Sequence, residues 1–190
     1  DAGEMPNIAR LVRTGASASI ATLQPSFSPM LWTSIATGKR PFDHGIHGFS
    51  EPRPDGRDIQ RISNLSRKCK AVWNILGQSG LRSIVVGWWP SYPAEPIRGV
   101  MVSDQFHRVS SQFRIVHGMV HPPELAAPLA ALRLGPAEIP ADLLQFFVPR
   151  ALEIDQEKSR GIHSAARIVS ECANIHSAAT WLMDHEPWDL

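Results

Sequence analysis

The sequence lacks several features that mark specialised classes of protein. Its two cysteines, Cys69 and Cys172, are far apart and form neither a metal-binding spacing nor a disulfide framework. Nineteen lysines and arginines stand against 18 acidic residues, a net charge of +1. No basic run is interleaved with aromatic residues, so binding to nucleic acid is not indicated. No apolar run approaches the ~20 residues that a membrane span needs.

What the chain does contain fits one domain with its own core. It has 190 residues, of which 43% are hydrophobic and 19% charged, without an internal repeat or a low-complexity tract. The first residues, DAGEMPNIARL, have no signal-peptide character and no initiator methionine. The last, HEPWDL, resemble the approach to a strand. We therefore expect the chain to be truncated at both ends, and its compartment stays open.

Apolar periodicity alternates between helical and extended segments. Helices are predicted over 5–14, 28–37, 68–77, 140–158 and 162–183, and strands over 16–23, over 82–88 and from Val100 onward. In the helix over 68–77 the inward residues are predicted to be Ala71, Val72, Ile75 and Leu76; in the last helix they are Ile168, Val169, Ala173, Ile175, Ala179 and Leu182. Residues 50–66 are predicted to be a surface loop. The continuous run Ile84-Val85-Val86 is typical of a parallel strand covered on both faces, so the pattern predicts an α/β protein.

The segment SFSPMLWTSIATGKRPFDHGIHGF, residues 26–49, contains a candidate nucleophile. Ser28 followed by Pro29 is predicted to cap the second helix, which places the hydroxyl at the positive end of the helix. Free backbone N–H groups at such an end bind phosphate and favour an alkoxide that develops on serine. A serine that only caps the helix is the alternative. Ser26, Thr33 and Ser34 are poorer candidates, because they lie before the cap or inside the helix.

The strings MPNIARLVRTGA and SPMLWTSIATGKRPFDHGIHGF resemble the type I phosphodiesterase/nucleotide pyrophosphatase family of the alkaline-phosphatase superfamily. The likeness is strongest over residues 4–49 and looser beyond them. It implies a three-layer α/β/α sandwich with a mainly parallel sheet, of which residues 1–190 are a partial catalytic domain. The core would be 1–103 and 140–190, with a cap or insertion over 104–139.

The resemblance also implies a reaction. Ser28 would be both nucleophile and metal ligand in a site with two divalent metal ions, zinc or manganese, and would hydrolyse a small-molecule phosphoric ester through a phospho-enzyme intermediate. The family's other metal ligands would lie outside these 190 residues, so this chain alone is expected to be inactive. The nucleotide-hydrolysing branch has an asparagine three residues after the nucleophile, where this chain has Leu31. A non-catalytic binding domain of the same fold, or a phosphotransferase or mutase, are the alternatives.

Other chemistry-bearing residues have weaker patterns. His44 matches a family position that we interpret as structural, closing the loop near the site. His117 and His121 have a ligand-like spacing, but Gly118 and the prolines that follow disfavour a helix there. His163, His176 and His185 are interpreted as surface or packing residues. Metal ligation is the alternative role for His44 and His47. Lys39 and Arg40 are interpreted as a solvated turn, with attraction of an anionic substrate as the alternative. Trp88, Trp89 and Tyr92 either line a substrate pocket or pack a loop onto the core. The sulfatase Cys/Ser-x-Pro-x-Arg motif does not occur.

Overall fold

Short helices and strands alternate along the chain in a computed structural model that describes residues 3, 5–108, 117–154 and 160–190. The helices are α1 (Pro6–Thr14), α2 (Ser28–Thr37), α3 (Pro41–His44), α4 (Val72–Gln78), α5 (Ala126–Ala130), α6 (Ala141–Gln145) and α7 (Gly161–His185). The strands are β1 (Ser50–Pro52), β2 (Ile59–Arg61), β3 (Ser83–Val86), β4 (Gly99–Val102) and β5 (Val120–His121).

The central element is a parallel pair of strands. β3 pairs with β4 from Ser83 opposite Gly99 to Val86 opposite Val102, as the apolar run predicts. On the other side of β4, β5 pairs in the antiparallel direction. The α/β class is thus confirmed. The three-layer sandwich with a mainly parallel sheet stays a prediction, because the sheet described is small and mixed.

Helices cover both faces of the parallel pair. Successive residues of a strand point to opposite faces, and in β4 Val100 and Val102 pack with Ala178 and Leu182 of α7. Met101, between them, packs on the other face with residues of α2 and α4. Burial on both sides therefore explains the apolar sequence of these strands. A separate, third cluster joins α6 to the first half of α7.

Gly99 allows the two parallel strands to begin pairing. Its φ is +125°, a conformation that L side chains rarely adopt, and a Cβ there would lie 2.1 Å from the carbonyl oxygen of Ser83. Ser83 N–H in turn donates to Arg98 O at 2.9 Å. Any larger residue at position 99 must push the backbone of β3 away.

Two predictions for the start of the chain have different outcomes. The first helix is confirmed as α1, yet its apolar residues Met5, Ile8 and Leu11 are more than half exposed. The strand predicted over 16–23 is wrong, since those residues have no regular structure and are almost all exposed. An alternating sequence becomes a strand only beside a hydrogen-bonding neighbour, and among the described residues none pairs with this segment.

Two further segments correct the sequence predictions. Residues 50–66 are not only a loop, because β1 and β2 form an antiparallel hairpin within them. The helix predicted over 140–158 is confined to α6 and a short 3₁₀ turn, Ala151–Glu153, with residues 155–159 outside the described part. Pro149 lies in the middle of the predicted span, and a proline inside a helix removes a hydrogen bond and clashes with the preceding turn.

The helices α4 and α7 are present, but their buried faces differ from those predicted. The helix predicted from residue 68 begins at Val72. Of its predicted inward residues Ala71, the N-cap, is fully buried, whereas Val72 and Ile75 are exposed and Trp73 is buried instead. In α7 the buried residues recur every four positions: Ala166, Ser170, Asn174, Ala178 and Leu182. Of the predicted inward set only Leu182 is fully buried, and Ile168 is 54% exposed. Because most residues of this buried stripe are small or polar, the pattern of hydrophobic residues in the sequence did not reveal it.

The predicted insertion over 104–139 contributes to the core where it is described. Val120 of β5 and Leu129 of α5 pack in one cluster with Val100 and Leu182. The division of the chain into 1–103, 104–139 and 140–190 stays a prediction. None of the helices in the described ranges combines the length and apolarity needed to cross a membrane.

Replacing Gly99 by alanine should weaken the parallel pair. We expect Gly99→Ala to lower the free energy of unfolding by more than about 3 kcal/mol, because the new Cβ overlaps the backbone at Ser83. The matched control is Gly56→Ala: φ there is +68° and nothing lies within 4 Å of the new Cβ, so about 1 kcal/mol of backbone strain is expected. Urea unfolding measures both. Equal losses in the two variants would contradict the role given to Gly99.

Candidate active site

The first turn of α2 presents Ser28 to solvent. The prediction that Ser28 is the N-cap is wrong by one position: Phe27 is the N-cap, and its carbonyl accepts from Leu31 N–H at 3.0 Å. Ser28 is therefore the first helical residue and Pro29 the second. Ser28 is exposed, and a helix start leaves its first N–H groups without helical partners. The hydroxyl thus lies at the positive end of α2.

Burial of one face fixes the position of α2. Pro29, Met30, Thr33 and Ala36 are buried, and Thr33 Oγ1 donates to Pro29 O at 2.7 Å. The helix ends at Gly38, whose φ of +64° provides the left-handed cap that the sequence predicts. Because the residue after Ser28 is buried, the exposed hydroxyl is carried on a fixed backbone.

His44 attaches the loop that follows to α2. It is fully buried, and its Nδ1 accepts from Ile46 N–H at 3.2 Å. That bond leaves the ring proton on Nε2, which lies 3.0 Å from Ser34 Oγ. Both ring nitrogens are engaged in holding the loop, which agrees with the structural role inferred from the sequence.

Burial also sets the charge of His44. Loss of hydration lowers the pKa of the imidazole, and the neighbouring His47 lowers it further. Asp43 and hydrogen bonds to the backbone at Met30 and at His44 itself oppose this shift but do not reverse it. His44 is therefore neutral at pH 7.

A row of aromatic rings leads away from the start of α2. The Phe27 and Phe49 ring centroids are 5.7 Å apart, and those of Phe49 and Trp89 are 5.6 Å apart. Trp88 turns the other way and packs between Trp32 and Trp73, with centroid distances of 5.2 and 5.8 Å. The sequence predicted that the two tryptophans either line a substrate pocket or pack a loop onto the core. In the structure Trp88 packs onto the core, whereas Trp89 lines a surface cavity.

That cavity, which we call the aromatic–arginine pocket, has a volume of about 720 Å³. Three rings and two cations contribute to its lining: Phe49, Trp89, Tyr92, Arg61 and Arg108. Trp89 follows β3 and Arg108 follows β4, so the pocket lies beyond the carboxyl ends of the parallel strands, where open α/β sheets bind ligands.

Asp104 holds the pocket loop in shape. Its Oδ1 accepts from Ser91 N–H at 2.9 Å and from Tyr92 N–H at 2.8 Å, and its Oδ2 accepts from Gln105 Nε2. Ser91 Oγ completes the connection by accepting from Asp104 N–H at 2.9 Å. Both carboxylate oxygens are thus engaged in hydrogen bonds within the protein, and these bonds connect the segment after β4 to the segment after β3.

A second polar cluster holds the loop from the other side. Arg67 Nη2 contacts Glu95 Oε1 at 2.5 Å, and Arg67 Nη1 donates to Asn74 Oδ1 at 3.1 Å. Trp73 Nε1 donates to the same Glu95 oxygen. The guanidinium carbon also lies 5.6 Å from the Trp73 ring centroid. These contacts connect α4 to the irregular segment that contains Trp89.

The remaining sequence candidates do not form a site in the part of the chain that the structure describes. His121 lies in β5 and His117 in the turn before it, so no helix pairs them. His185 stacks on Trp181 and its Nδ1 lies 2.8 Å from Trp181 O. Lys39 and Arg40 lie in an exposed turn. No three His, Cys, Asp or Glu side chains in the described ranges meet in a way that could hold a metal ion.

Sequence reasoning missed three residues of the pocket. Arg61 and Arg108 are far apart in the chain and belong to no local motif. Asp104 carried one usable signal, because a carboxylate just after a buried parallel strand lies at the edge where such sheets place their sites. The arginines had no such signal.

Replacing His44 should change how stability depends on pH. Its folded-state pKa is lowered, so its contribution is complete above about pH 6.5 and is lost as the pH falls through the folded-state value. We expect His44→Gln to reduce that loss and to cost about 2 kcal/mol at pH 7.5, since Ile46 N–H loses its acceptor. Urea unfolding from pH 5 to 8 measures this.

The control for His44 is the exposed His176: His176→Gln should change the free energy of unfolding at pH 7.5 by no more than about 0.5 kcal/mol. His107, whose pKa burial also lowers, contributes to the slope that remains in His44→Gln. A slope in His44→Gln equal to that of the unmodified protein would contradict the buried neutral state.

Comparison with known proteins identifies the family. The model of the type I phosphodiesterase / nucleotide pyrophosphatase family matches residues 1–153. No curated protein and no solved structure matches the chain. The match spans most of the 190 residues and includes both α2 and the pocket. The chain therefore belongs to the type I phosphodiesterase / nucleotide pyrophosphatase family.

Proposed function

We propose that this protein hydrolyses a phosphoric ester with Ser28 Oγ as the attacking nucleophile. The family supports a phosphoester hydrolase. The observation that supports the assignment of Ser28 is its position in the fold: it is the exposed first residue of α2, directly before the buried Pro29. A helix start favours both the bound phosphate and negative charge that develops on the serine oxygen.

The reaction then runs in two displacements. Ser28 Oγ forms a bond to phosphorus while the bond to the leaving alcohol breaks, which gives a phosphoserine and an alcohol that takes up a proton. Water then attacks phosphorus, the bond from phosphorus to Ser28 Oγ breaks, and the phosphate or its remaining monoester leaves while Oγ takes up a proton. The serine proton has to go to a group other than His44, because both ring nitrogens of His44 are occupied by Ile46 N–H and Ser34 Oγ.

We further propose that activity depends on two divalent metal ions, zinc or manganese. The support is the family resemblance of the block around Ser28. The residues that the structure describes do not by themselves fit such a centre, since no cluster of three His, Cys, Asp or Glu is found among them. Ser28 is the single ligand that this chain is proposed to supply.

Removing the hydroxyl should abolish turnover. We expect Ser28→Ala in the full-length protein to lower kcat for a chromogenic phosphodiester by about a thousandfold or more, because no nucleophile remains to form the phosphoserine. Ser26→Ala is the matched control, an exposed serine two residues earlier, and should stay within about twofold of the unmodified enzyme. Release of the chromogenic alcohol, followed by absorbance with added zinc or manganese, measures both. Normal turnover in Ser28→Ala would overturn the proposal.

Metal binding by the 190-residue chain gives a separate test. We expect only weak binding of Zn²⁺ or Mn²⁺ in a calorimetric titration, and no turnover, because one serine oxygen cannot replace the several ligands that such ions require. The Ser28→Ala variant should give the same titration curve. Tight, stoichiometric binding to the chain would contradict this expectation and would point to ligands not yet recognised.

Two alternatives remain as further proposals. A non-catalytic binding domain is favoured by the lack of a three-residue ligand cluster in the described part of the chain; such a protein would bind phosphoric esters equally well with and without the Ser28 hydroxyl. A phosphotransferase or mutase would form the same phosphoserine but pass the phosphoryl group to an alcohol. Product analysis in the presence of added alcohols separates transfer from hydrolysis.

A further inference from the structure

We propose that the aromatic–arginine pocket selects phosphoric esters whose alcohol part carries a second negative charge on a flat or apolar body. This inference rests on the proposed function of Ser28. It concerns Arg61 and Arg108, which have no part in the chemistry assigned to Ser28, and it names the class of substrate that the protein would prefer.

The charge balance of the pocket favours an anion. Arg61 and Arg108 are the cations in its lining, and Asp104 is the carboxylate on the loop side. Both Asp104 oxygens already accept hydrogen bonds from the 91–92 turn and from Gln105, and the residue is 7% exposed. The carboxylate is therefore occupied within the protein, and the pocket offers a ligand an excess of positive charge.

Both guanidinium groups are available to a ligand. Arg61 and Arg108 are exposed, and among the described contacts neither side chain has a carboxylate or carbonyl partner. Some other arginines are paired: Arg150 pairs with Glu153 at 2.5 Å and Arg167 with Glu171 at 2.8 Å. A free guanidinium can donate two parallel hydrogen bonds to a carboxylate or phosphate.

The backbone under each arginine is fixed. Arg61 pairs with Ser50 in the β1–β2 hairpin. Arg108 N–H donates to Gln105 O at 3.1 Å, and Arg108 O accepts from Arg133 Nη2. The two cations are thus held by separate elements, which makes the charged lining part of the folded structure.

The aromatic rings connect the pocket to Ser28. Phe49, Trp89 and Tyr92 give the pocket a wall suited to a flat or apolar group. Phe49 also contacts Phe27, the residue next to Ser28, at a centroid distance of 5.7 Å. An ester held at the start of α2 can therefore extend its alcohol part along the rings toward the arginines.

The test uses two substrates with one leaving group. They are 4-nitrophenyl phenyl phosphate and its analogue with a para-carboxylate on the phenyl ring, so that the added charge is the difference between them. We expect the full-length protein to favour the carboxylated ester about tenfold in kcat/KM, the magnitude of one or two partly exposed ion pairs. The preference should shrink as salt is added.

Arginine variants locate the source of the preference. Arg61→Gln and Arg108→Gln should each lower the preference for the carboxylated ester to about threefold or less, and the double variant should abolish it. Arg61→Lys should retain part of the preference. The matched control is Arg57→Gln: Arg57 is exposed in the turn of the same hairpin but does not line the pocket, so the preference should persist in full.

A binding measurement separates this inference from the proposed function. Quenching of tryptophan fluorescence in the Ser28→Ala variant reports binding of each ester without turnover. Tighter binding of the carboxylated ester, lost in the double arginine variant, supports the inference even if Ser28 proves not to be the nucleophile. Equal binding of the two esters, or a preference that survives loss of both arginines, overturns it while leaving the Ser28 assignment intact.

Discussion

The parallel pairing of β3 and β4 is the interaction on which the other described parts of the site depend. It sets which residues face α7 and which face α2 and α4, because side chains alternate along each strand. It also brings two distant segments to one edge of the sheet: the chain leaves β3 toward Trp89 and leaves β4 toward Arg108. The pocket lies at this edge of the sheet because the segments that follow β3 and β4 are adjacent there. The close approach at Gly99 begins the pairing and so fixes its register.

Polar contacts hold the irregular loop after β3 in place. The loop after β3 contains three prolines and has little backbone hydrogen bonding of its own. Asp104 secures it from the β4 side and the Arg67–Glu95 pair from the α4 side. A partly buried ion pair gives little net stability once the loss of hydration is counted, so its effect in this loop is better described as favouring one conformation. The loop that carries Trp89 and Tyr92 is thereby kept in a single shape.

Much of the fold could be predicted from local signals, and the failures have physical causes. The helix α2 with its Gly38 cap, the buried strand β3 and the length of α7 follow from short-range rules about proline, glycine and apolar runs. The strand expected over 16–23 failed because pairing is not a local property, and the helix expected over 140–158 failed at Pro149. The candidate site divides in the same way. Ser28 belongs to a contiguous block that a sequence reader can recognise, whereas Arg61 and Arg108 are brought to one pocket only by the tertiary fold.

The last residues of the chain take part in the sheet. Asp189 N–H donates to Arg82 O at 2.9 Å, and Ile84 N–H donates to Leu190 O at 2.8 Å. β3 therefore has hydrogen-bonding neighbours on both sides, β4 on one and residues 189–190 on the other. An unprotected strand as apolar as Ile84-Val85-Val86 is a template for pairing with another molecule. The hydrogen bonds of residues 189–190 with Arg82 and Ile84 block the first part of that edge from such pairing, although these residues do not line the pocket.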